Sequence, residues 1–299
     1  MGLTAESVSE PSTAVDVPPR RRIVFAVALG RTRDIRRDRP YHRCMCLILF
    51  AYRTDPTCPL VLLANRDEVF ARPAAAAAYW EEAPYVFGGR DLEKRGTWLG
   101  VTRNARLACV TNVRAPWARA EGRSRGALVA DFLVASGGAA SSAVSYAKAL
   151  DGASFPSFNA LFFDGDALVS CDESGNVTEV EPGVHGLSNA RLDTPWPKVE
   201  TGVSDLRFWL QGERRDEDAF AILARRTQGH EDALPKTGVP LDIERALSSP
   251  FVHALAHVGY GTRTSTLVRI GQDSVELVER TFGASGTLLG EVRARIHCT

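Results

Sequence analysis

The 299-residue sequence lacks the motifs of several large protein classes. None of its six cysteines forms a Cys-x-x-Cys pair, which argues against a zinc ribbon and suits the reducing conditions of the cytoplasm. There is no Gly-x-Gly-x-x-Gly and no Walker loop, so phosphate-cradling nucleotide folds lose support. The longest apolar run near the start, Ile23–Gly30, is far too short to span a bilayer. We therefore predict a cytoplasmic protein without a membrane span.

Charge is balanced overall but not along the chain. Lys+Arg and Asp+Glu both number 36, yet residues 1–44 hold nine of the basic and only five of the acidic residues. Residues 45–299 therefore carry 27 basic and 31 acidic residues, and this mildly acidic body argues against nucleic acid as a partner. A chain of this length buries a sizeable core without a disulfide or metal staple, and we predict neither a metal nor a cofactor.

Residues 1–44 differ in composition from the rest of the chain. Their first part is rich in Ser, Thr, Glu and Pro, and their second part is rich in Arg without a clean period. Three interpretations stay open: a disordered tail, a leader added by an upstream start codon, or a propeptide. We predict a disordered leader or start-site artefact over 1–44 and one domain over 45–299.

The remaining sequence predicts an α+β fold with antiparallel hairpins. Cys46–Tyr52 and Pro59–Asp67 are apolar runs joined by Arg53–Cys58, whose Asp-Pro pair indicates a turn. Thr97–Thr102 and Arg106–Val113 form a second predicted hairpin. Helical spacing predicts helices over the ranges Gly122–Gly138, Ser141–Leu150, Trp196–Gly212 and Asp216–Thr227. Strands are predicted after the second helix, over 158–183, and two more, 263–270 and 274–282, close the chain.

Met45-Cys46, directly before the first predicted strand, allows two interpretations. A free cysteine at a strand start is usually a small buried hydrophobic residue. If Met45 were removed, Cys46 would instead carry a thiol and a free amine on one residue. An α-amine has a pKa of about 7.7–8.0, so it can accept the thiol proton near neutral pH and activate the nucleophile.

The segment Asn65–Glu68, "NRDE", follows the second apolar run. Its composition suits a solvated turn where a strand leaves a sheet. A hairpin, however, places the end of the second strand beside the start of the first, so Arg66 and Asp67 are predicted beside Cys46. The guanidinium would lower the thiol pKa, and the carboxylate would orient an α-ammonium.

Three further side chains are candidates for substrate contacts. Asn112 and Asn189 each allow two roles, a turn cap or an amide N–H donor to a developing oxyanion. Arg263, at the head of a predicted strand, either binds a substrate carboxylate or lies on a turn. His253 and His257 are four residues apart, but no Glu lies between them and no third ligand follows, which argues against zinc.

Six segments in order resemble the NRDE family, which includes transport and Golgi organization 2-like proteins. The resemblance covers roughly Met45 to Phe282. The segments are MCLILFAY, LLANRDE, GTWLGVT, ACVTNVR, GLSNARLDTPWPKV and YGTRTSTLV. The resemblance implies an N-terminal-nucleophile hydrolase-like fold, a four-layer αββα sandwich of two antiparallel sheets with outer helices.

The same resemblance implies catalytic roles for five residues, because the wider fold group includes cysteine amidases. Cys46 would be nucleophile and base, Arg66 and Asp67 its activators, and Asn112 and Asn189 the oxyanion donors. Arg66 and Asp67 are adjacent here, whereas the amidases space their Arg and Asp farther apart.

Two functional hypotheses follow from these residues. The first is a hydrolase that cleaves a linear amide, from a small-molecule or lipid-like substrate, through Cys46. The second is a non-catalytic module of the same fold that binds a lipid, an acyl-CoA or a haem-like ligand, with Cys46, His185 and His257 as candidate axial ligands. The sequence carries no signal for the oligomeric state.

Overall fold

The computed structural model describes residues 45–135, 137 and 142–298. The predicted leader, residues 1–44, lies outside the described residues. Among the described residues, no helix is both long enough and apolar enough to cross a membrane.

Thirteen strands and five α-helices occur in the described ranges. The strands are β1 Met45–Tyr52, β2 Leu60–Val69, β3 Ala74–Tyr79, β4 Val86–Asp91, β5 Leu99–Thr102, β6 Leu107–Asn112, β7 Phe158–Phe163, β8 Leu168–Asp172, β9 Val177–Glu179, β10 Gly183–Leu187, β11 Tyr260–Ile270, β12 Ser274–Phe282 and β13 Leu288–His297. The helices are α1 Arg125–Val134, α2 Ala143–Ala149, α3 Pro197–Gln211, α4 Asp216–Leu223 and α5 Leu241–Ala246.

The strands form two antiparallel sheets. The six-stranded sheet has the order β10-β1-β2-β11-β12-β13, and the seven-stranded sheet runs β3 to β9 in chain order. Each neighbouring pair is antiparallel. In the six-stranded sheet β2 lies between β1 and β11, so the end of β2 is enclosed on both edges.

Three apolar layers hold the sheets and helices together. Side chains alternate along β1: Ile48 and Phe50 point into the layer between the sheets, and Leu47 and Leu49 point towards α3 and α4. Helices α1 and α2 cover the outer face of the seven-stranded sheet, where Phe132 packs on Phe162. The predicted four-layer αββα sandwich is confirmed by this arrangement.

The structure also corrects parts of the sequence prediction. Both predicted hairpins are present, but two strands do not close the chain, because β13 follows β12 and pairs with it. Strands β3 and β4 were not predicted, because the run AAAAAY has low strand propensity and only pairing within the sheet makes it a strand. The fourth predicted helix ends at Leu223 rather than Thr227.

Candidate active site

Cys46, at the start of β1, and the segment Asn65–Glu68, near the end of β2, lie side by side on two inner strands of the six-stranded sheet. Cys46 is the register partner of Arg66, and Met45 is the partner of Asp67. The segment is not a solvated turn: all four of its residues belong to β2 and are buried. The hairpin therefore places Arg66 and Asp67 beside Cys46, while the roles of these residues stay predictions.

The Cys46 thiol is buried and lines a cavity between the sheets. Cys46 is 6% exposed. Burial, helped by the negative charge of Asp67, raises the pKa of its thiol to about 12, and the Asp67 backbone N–H, Arg66 and Lys198 oppose this rise. With Met45 still attached, the thiol is therefore protonated at neutral pH and needs a nearby base to become a nucleophile.

Asp67 is a fully buried carboxyl group, and only one of its two oxygens accepts a hydrogen bond. Its Oδ1 accepts a hydrogen bond of 2.6 Å from the Thr262 hydroxyl, which in turn accepts the Val252 N–H at 2.8 Å. Oδ2 has no hydrogen-bond partner among the described residues. Burial raises the pKa of this carboxyl group, and the positive charge of Lys198 is the strongest effect opposing the rise. A second donor to Oδ2 would complete the hydrogen bonding of the site.

Arg66 is held in place by stacking and by a buried carboxylate. Its guanidinium carbon lies 4.3 Å from the centre of the Trp98 ring, and Nη2 lies 3.4 Å from Glu68 Oε2. Glu68 is itself fixed, because its Oε1 accepts the Val69 N–H at 2.8 Å. The Arg66 Nη1 has no hydrogen-bond partner among the described residues. A positive charge is thus fixed one strand away from the thiol.

Asn112 and Asn189 come from different sheets and meet beside Cys46. Asn112 ends β6, and Asn189 follows β10. The Asn189 Nδ2 donates to Asn112 Oδ1 at 2.9 Å and to Asn112 O at 3.1 Å. Next to it, the Ser188 hydroxyl donates to the Cys46 carbonyl at 2.9 Å. Both amide hydrogens of Asn189 are therefore used, whereas the Asn112 Nδ2 makes one long bond, to the Val113 carbonyl at 3.3 Å, and Asn112 lines the cavity.

Arg263 lies on the far side of β2 from Cys46. It sits at a bulge in the β2–β11 pairing, and its Nη1 donates to the carbonyl oxygens of Arg72 and of Val69, the latter at 3.4 Å. Arg263 is not among the residues that line the cavity next to Cys46 in the described part of the chain. Its predicted contact with a substrate stays a prediction.

The cavity that reaches Cys46 has a volume of about 660 Å³ and is lined by both polar and apolar groups. Cys46, Arg66, Trp98 and Asn112 are among the residues that line it, together with the segment directly before α1. Arg72 pairs with Asp91 at 2.6 Å, so that two of the charged groups of the lining neutralise each other. The volume is in the range of pockets for small molecules.

Sequence patterns did not point to two residues of this site, Lys198 and Ser188. Lys198, the second residue of α3, is 1% exposed, and its Nζ has no hydrogen-bond partner among the described residues. Burial lowers the pKa of its ammonium group. The only signal in the sequence is its place in the segment GLSNARLDTPWPKV, because a lysine near a helix start is usually exposed.

The candidate axial ligands of the alternative hypothesis do not meet. The His185 ring lies between Asp193 Oδ2 at 2.7 Å and the Glu181 carbonyl at 2.9 Å, so both ring nitrogens are used. The His257 Nδ1 lies 3.1 Å from the Ala254 carbonyl in an exposed turn. Neither histidine lines the cavity next to Cys46 in the described ranges. Within these ranges, no group of three or more His, Cys, Asp or Glu side chains is placed to hold a metal ion.

Comparison with known proteins gives one family match over most of the chain. The family model described as Transport and Golgi organisation 2 matches residues 45–284. The transport and Golgi organization protein 2 homolog of Bos taurus is 33% identical over 262 residues, which are 80% of this chain and 93% of that protein. The Homo sapiens homolog is 31% identical over 265 residues, with the same coverage.

A solved structure shows a looser likeness. It is described as a Caenorhabditis elegans N-acylethanolamine-hydrolyzing acid amidase ortholog. The match has a TM-score of 0.45 and 10% sequence identity, and it covers 74% of this chain and 92% of the other.

Proposed function

This chain belongs to the Transport and Golgi organisation 2 family, and we propose that it is an amide hydrolase whose nucleophile is a mature N-terminal Cys46. The family membership confirms the resemblance predicted from six sequence segments. The proposal of an activity goes further and depends on the geometry around Cys46.

One observation carries the proposal: a buried carboxyl group with an unsatisfied oxygen belongs to the strand partner of Met45, the residue whose removal would free the Cys46 amine. Met45 and Asp67 are register partners, and Asp67 Oδ2 is buried without a hydrogen-bond partner in the described part of the chain. If Met45 were removed, the new α-amine of Cys46 would lie next to this carboxylate. A buried acceptor without a donor is costly, and an α-amine would supply the donor.

Removal of Met45 would also change the chemistry of the thiol. In the uncleaved chain, the thiol has a pKa of about 12 and no base of its own. A free α-amine, with an ordinary pKa of about 7.7–8.0, would be attached to the same residue as the thiol. It accepts the thiol proton over a short path, and the positive charge of Arg66 stabilises the resulting thiolate.

The reaction proceeds in two balanced halves. The thiolate adds to the amide carbonyl carbon, the ammonium group returns its proton to the leaving nitrogen, and the C–N bond breaks to give a thioester and a free amine. The α-amine then removes a proton from water, which adds to the thioester. Breakage of the C–S bond releases the acid, and the α-ammonium returns its proton to the departing thiolate, which regenerates the thiol and the free amine.

Asn112 and Asn189 have different tasks in this proposal. The oxyanion forms in the cavity that Asn112 lines, so the Asn112 amide is the donor that stabilises it. Asn189 directs both amide hydrogens at Asn112, so it holds that side chain in orientation. The sequence prediction had given both residues the role of oxyanion donor.

The proposed substrate is a linear amide of a small molecule or a lipid-like molecule. The cavity volume of about 660 Å³ supports a substrate of this size. We place the reaction in the cytoplasm, because the five cysteines within the described residues are all free thiols.

Acyl labelling of Cys46 tests the proposal. A chain expressed from Met45 is treated with a β-lactone probe, and intact-mass spectrometry reads both the loss of Met45 and the added acyl group. We expect Met45 to be absent and one acyl group to be added, and Cys46→Ala to abolish the addition. Cys58→Ser is the matched control, since Cys58 is a half-buried thiol outside the cavity. Retention of Met45, or equal labelling of the Cys46→Ala chain, would refute the proposal.

A further inference from the structure

Lys198 is a buried charge to which the proposed reaction assigns no step. It enters from α3, on the outer side of the six-stranded sheet, yet its side chain is 1% exposed. The Nζ has no hydrogen-bond partner among the described residues, and neither does Asp67 Oδ2. The two groups do not bond to each other, so Lys198 acts on Asp67 at longer range, through the weak screening of charges in the protein interior.

The surrounding charges come from several elements and balance closely. Arg114 follows β6 and stacks on Trp196 at 4.6 Å, and it pairs with Glu244 of α5 at 3.4 Å. The charged and titratable groups that act on Lys198 and Asp67 are Cys46, Arg66, Arg114 and Glu244. Arg66 and Arg114 also attract the Asp67 charge, but each is paired with a glutamate, Glu68 or Glu244, so Lys198 has the strongest effect on Asp67.

We propose that Lys198 is a positioning residue of this site: its ammonium group balances the Asp67 carboxylate and disfavours a second positive charge there, so that the α-amine of a mature Cys46 stays uncharged and can accept the thiol proton. The catalytic consequence rests on the proposed function. The electrostatic effect of Lys198 on Asp67 does not, because both side chains are already buried in the uncleaved chain.

The physical reason is the charge that a buried site tolerates. An α-ammonium beside a protonated thiol adds one net charge, which burial penalises. Transfer of the thiol proton to the amine creates an ammonium and a thiolate together, so it adds none. Lys198 therefore opposes the inactive protonated state of the amine without opposing proton transfer from the thiol. Burial lowers the pKa of Lys198 and raises that of Asp67, while the attraction between the two charges opposes both shifts.

The first test uses the full chain and needs no substrate. The sequence has only four lysines, which are Lys94, Lys148, Lys198 and Lys236, so protein labelled with ¹³C at lysine Cε gives four NMR signals. Lys198→Arg identifies the signal of interest. We expect Lys198 to titrate below the other three lysines, and Asp67→Asn to lower its midpoint further, because the carboxylate that favours the ammonium form is lost. A midpoint shared with the other lysines, or one that Asp67→Asn leaves unchanged, would overturn the inference.

The second test asks whether the charge of Lys198 acts on the nucleophile. The full chain carries a protease site directly before Cys46 and is cut after folding, and alkylation of Cys46 by iodoacetamide is followed against pH. The rate of alkylation should rise with pH around a midpoint at which Cys46 forms the thiolate. Lys198→Met is expected to raise this midpoint by about one pH unit, which makes alkylation about tenfold slower below it. Lys198→Arg, which keeps the charge, should restore the original profile.

The outcomes separate this inference from the proposed activity. A Lys198→Met profile that coincides with the original one would overturn the role of Lys198. If that variant does not fold, the titration of the unsubstituted full chain still decides. If Lys198 titrates as expected while the cut chain hydrolyses no amide, only the proposed activity has failed.

Discussion

The two halves of strand β2 are equally buried and chemically opposite. Leu60–Ala64 is apolar and packs into the layers on both sides of the sheet. Asn65–Glu68 is polar and charged, yet it continues the same strand with the same two neighbours. The first half stabilises the fold by apolar burial, whereas the second half has to compensate for the loss of water with specific partners.

Some buried polar atoms of the second half have no hydrogen-bond partner among the described residues, which is more typical of a functional site than of a structural core. Asn65 is fully satisfied: its Nδ2 donates to two carbonyls at 2.8 Å each, and its Oδ1 accepts the Ser265 hydroxyl at 2.6 Å. Arg66 and Asp67 each keep one buried atom without a partner among the described residues. Unsatisfied buried groups reduce stability and cluster at functional positions. The comparison therefore predicts that substitutions in the first half change stability and those in the second change chemistry.

The largest effect is expected in the apolar half. Leu62→Ala should lower the free energy of unfolding by about 2–5 kcal/mol, because Leu62 is buried between the sheets and the substitution leaves a cavity. Urea denaturation measures this loss, with the volume-conserving Leu62→Met as the control. Labelling of Cys46 per folded molecule should stay within about twofold of the original chain. Lost labelling in folded Leu62→Ala would erase the distinction between the halves.

The converse is expected for Asp67→Asn. Turnover by the mature chain should fall by at least about a hundredfold, because the amide cannot balance the charge of an α-ammonium. Stability should fall by no more than about 2 kcal/mol, since Asn keeps an acceptor for the Thr262 hydroxyl and Lys198, left without the carboxylate, can lose its proton instead of staying charged. Amide hydrolysis and urea denaturation of the same preparation give both values. A large loss of stability with normal turnover per folded molecule would reverse the assignment.

Glu279 is a second buried polar group of the same sheet, and its effect on stability is expected to depend on pH. This carboxyl group on β12 is buried, accepts the Ala77 N–H at 2.8 Å, and has a pKa raised by burial to about 7. The pKa of Glu279 in the folded state lies above the ordinary value of 4.5, so folding favours the protonated carboxyl group. The stability that this group contributes is therefore fully present below about pH 4.5 and is lost as pH rises through about 7. Glu279→Gln should therefore make the protein more stable than the original chain above pH 7, by about 1–3 kcal/mol.

Denaturation at several pH values measures this difference. The advantage of Glu279→Gln should shrink as pH falls towards 4.5. Equal stability of the two chains at pH 8 would show that the ionised carboxylate is fully compensated, and that this end of the sandwich carries no electrostatic cost.

The smallest effect is expected from Asn189→Ala. Asn189 contacts Asn112 rather than the cavity, so its loss should lower turnover by about tenfold through misorientation of the donor. Asn112→Ala should cost about a hundredfold, since it removes the donor itself. Steady-state kinetics of the two mature variants gives the ratio. If Asn189→Ala is the more damaging substitution, the roles of the two amides are exchanged.

The arrangement around Cys46 was accessible from sequence because it depends on one hairpin. Antiparallel pairing with a short turn fixes the register, so the start of β1 must meet the end of β2. The composition of Asn65–Glu68 nonetheless favoured a solvated turn. The segment is buried because β11 covers the second edge of β2, a contact between residues about two hundred positions apart.

Other parts of the site depend on contacts that no local pattern encodes. Ser188, at the end of β10, contacts the Cys46 carbonyl, and Lys198 of α3 acts on Cys46 electrostatically; each has an ordinary local sequence. The use of both Asn189 hydrogens by Asn112 depends on how the two sheets are packed. Strand β3 is an alanine run that only its pairing with β4 makes extended.

The central claim is that Cys46 is the first residue of the active protein. Mass spectrometry of the intact protein isolated from its native cell tests this claim most directly. The account predicts a mature chain that begins with Cys46 and carries a free α-amine. A native chain that keeps Met45, or any residue before it, would contradict the account, because the thiol would then have no base and Asp67 no amine to bind.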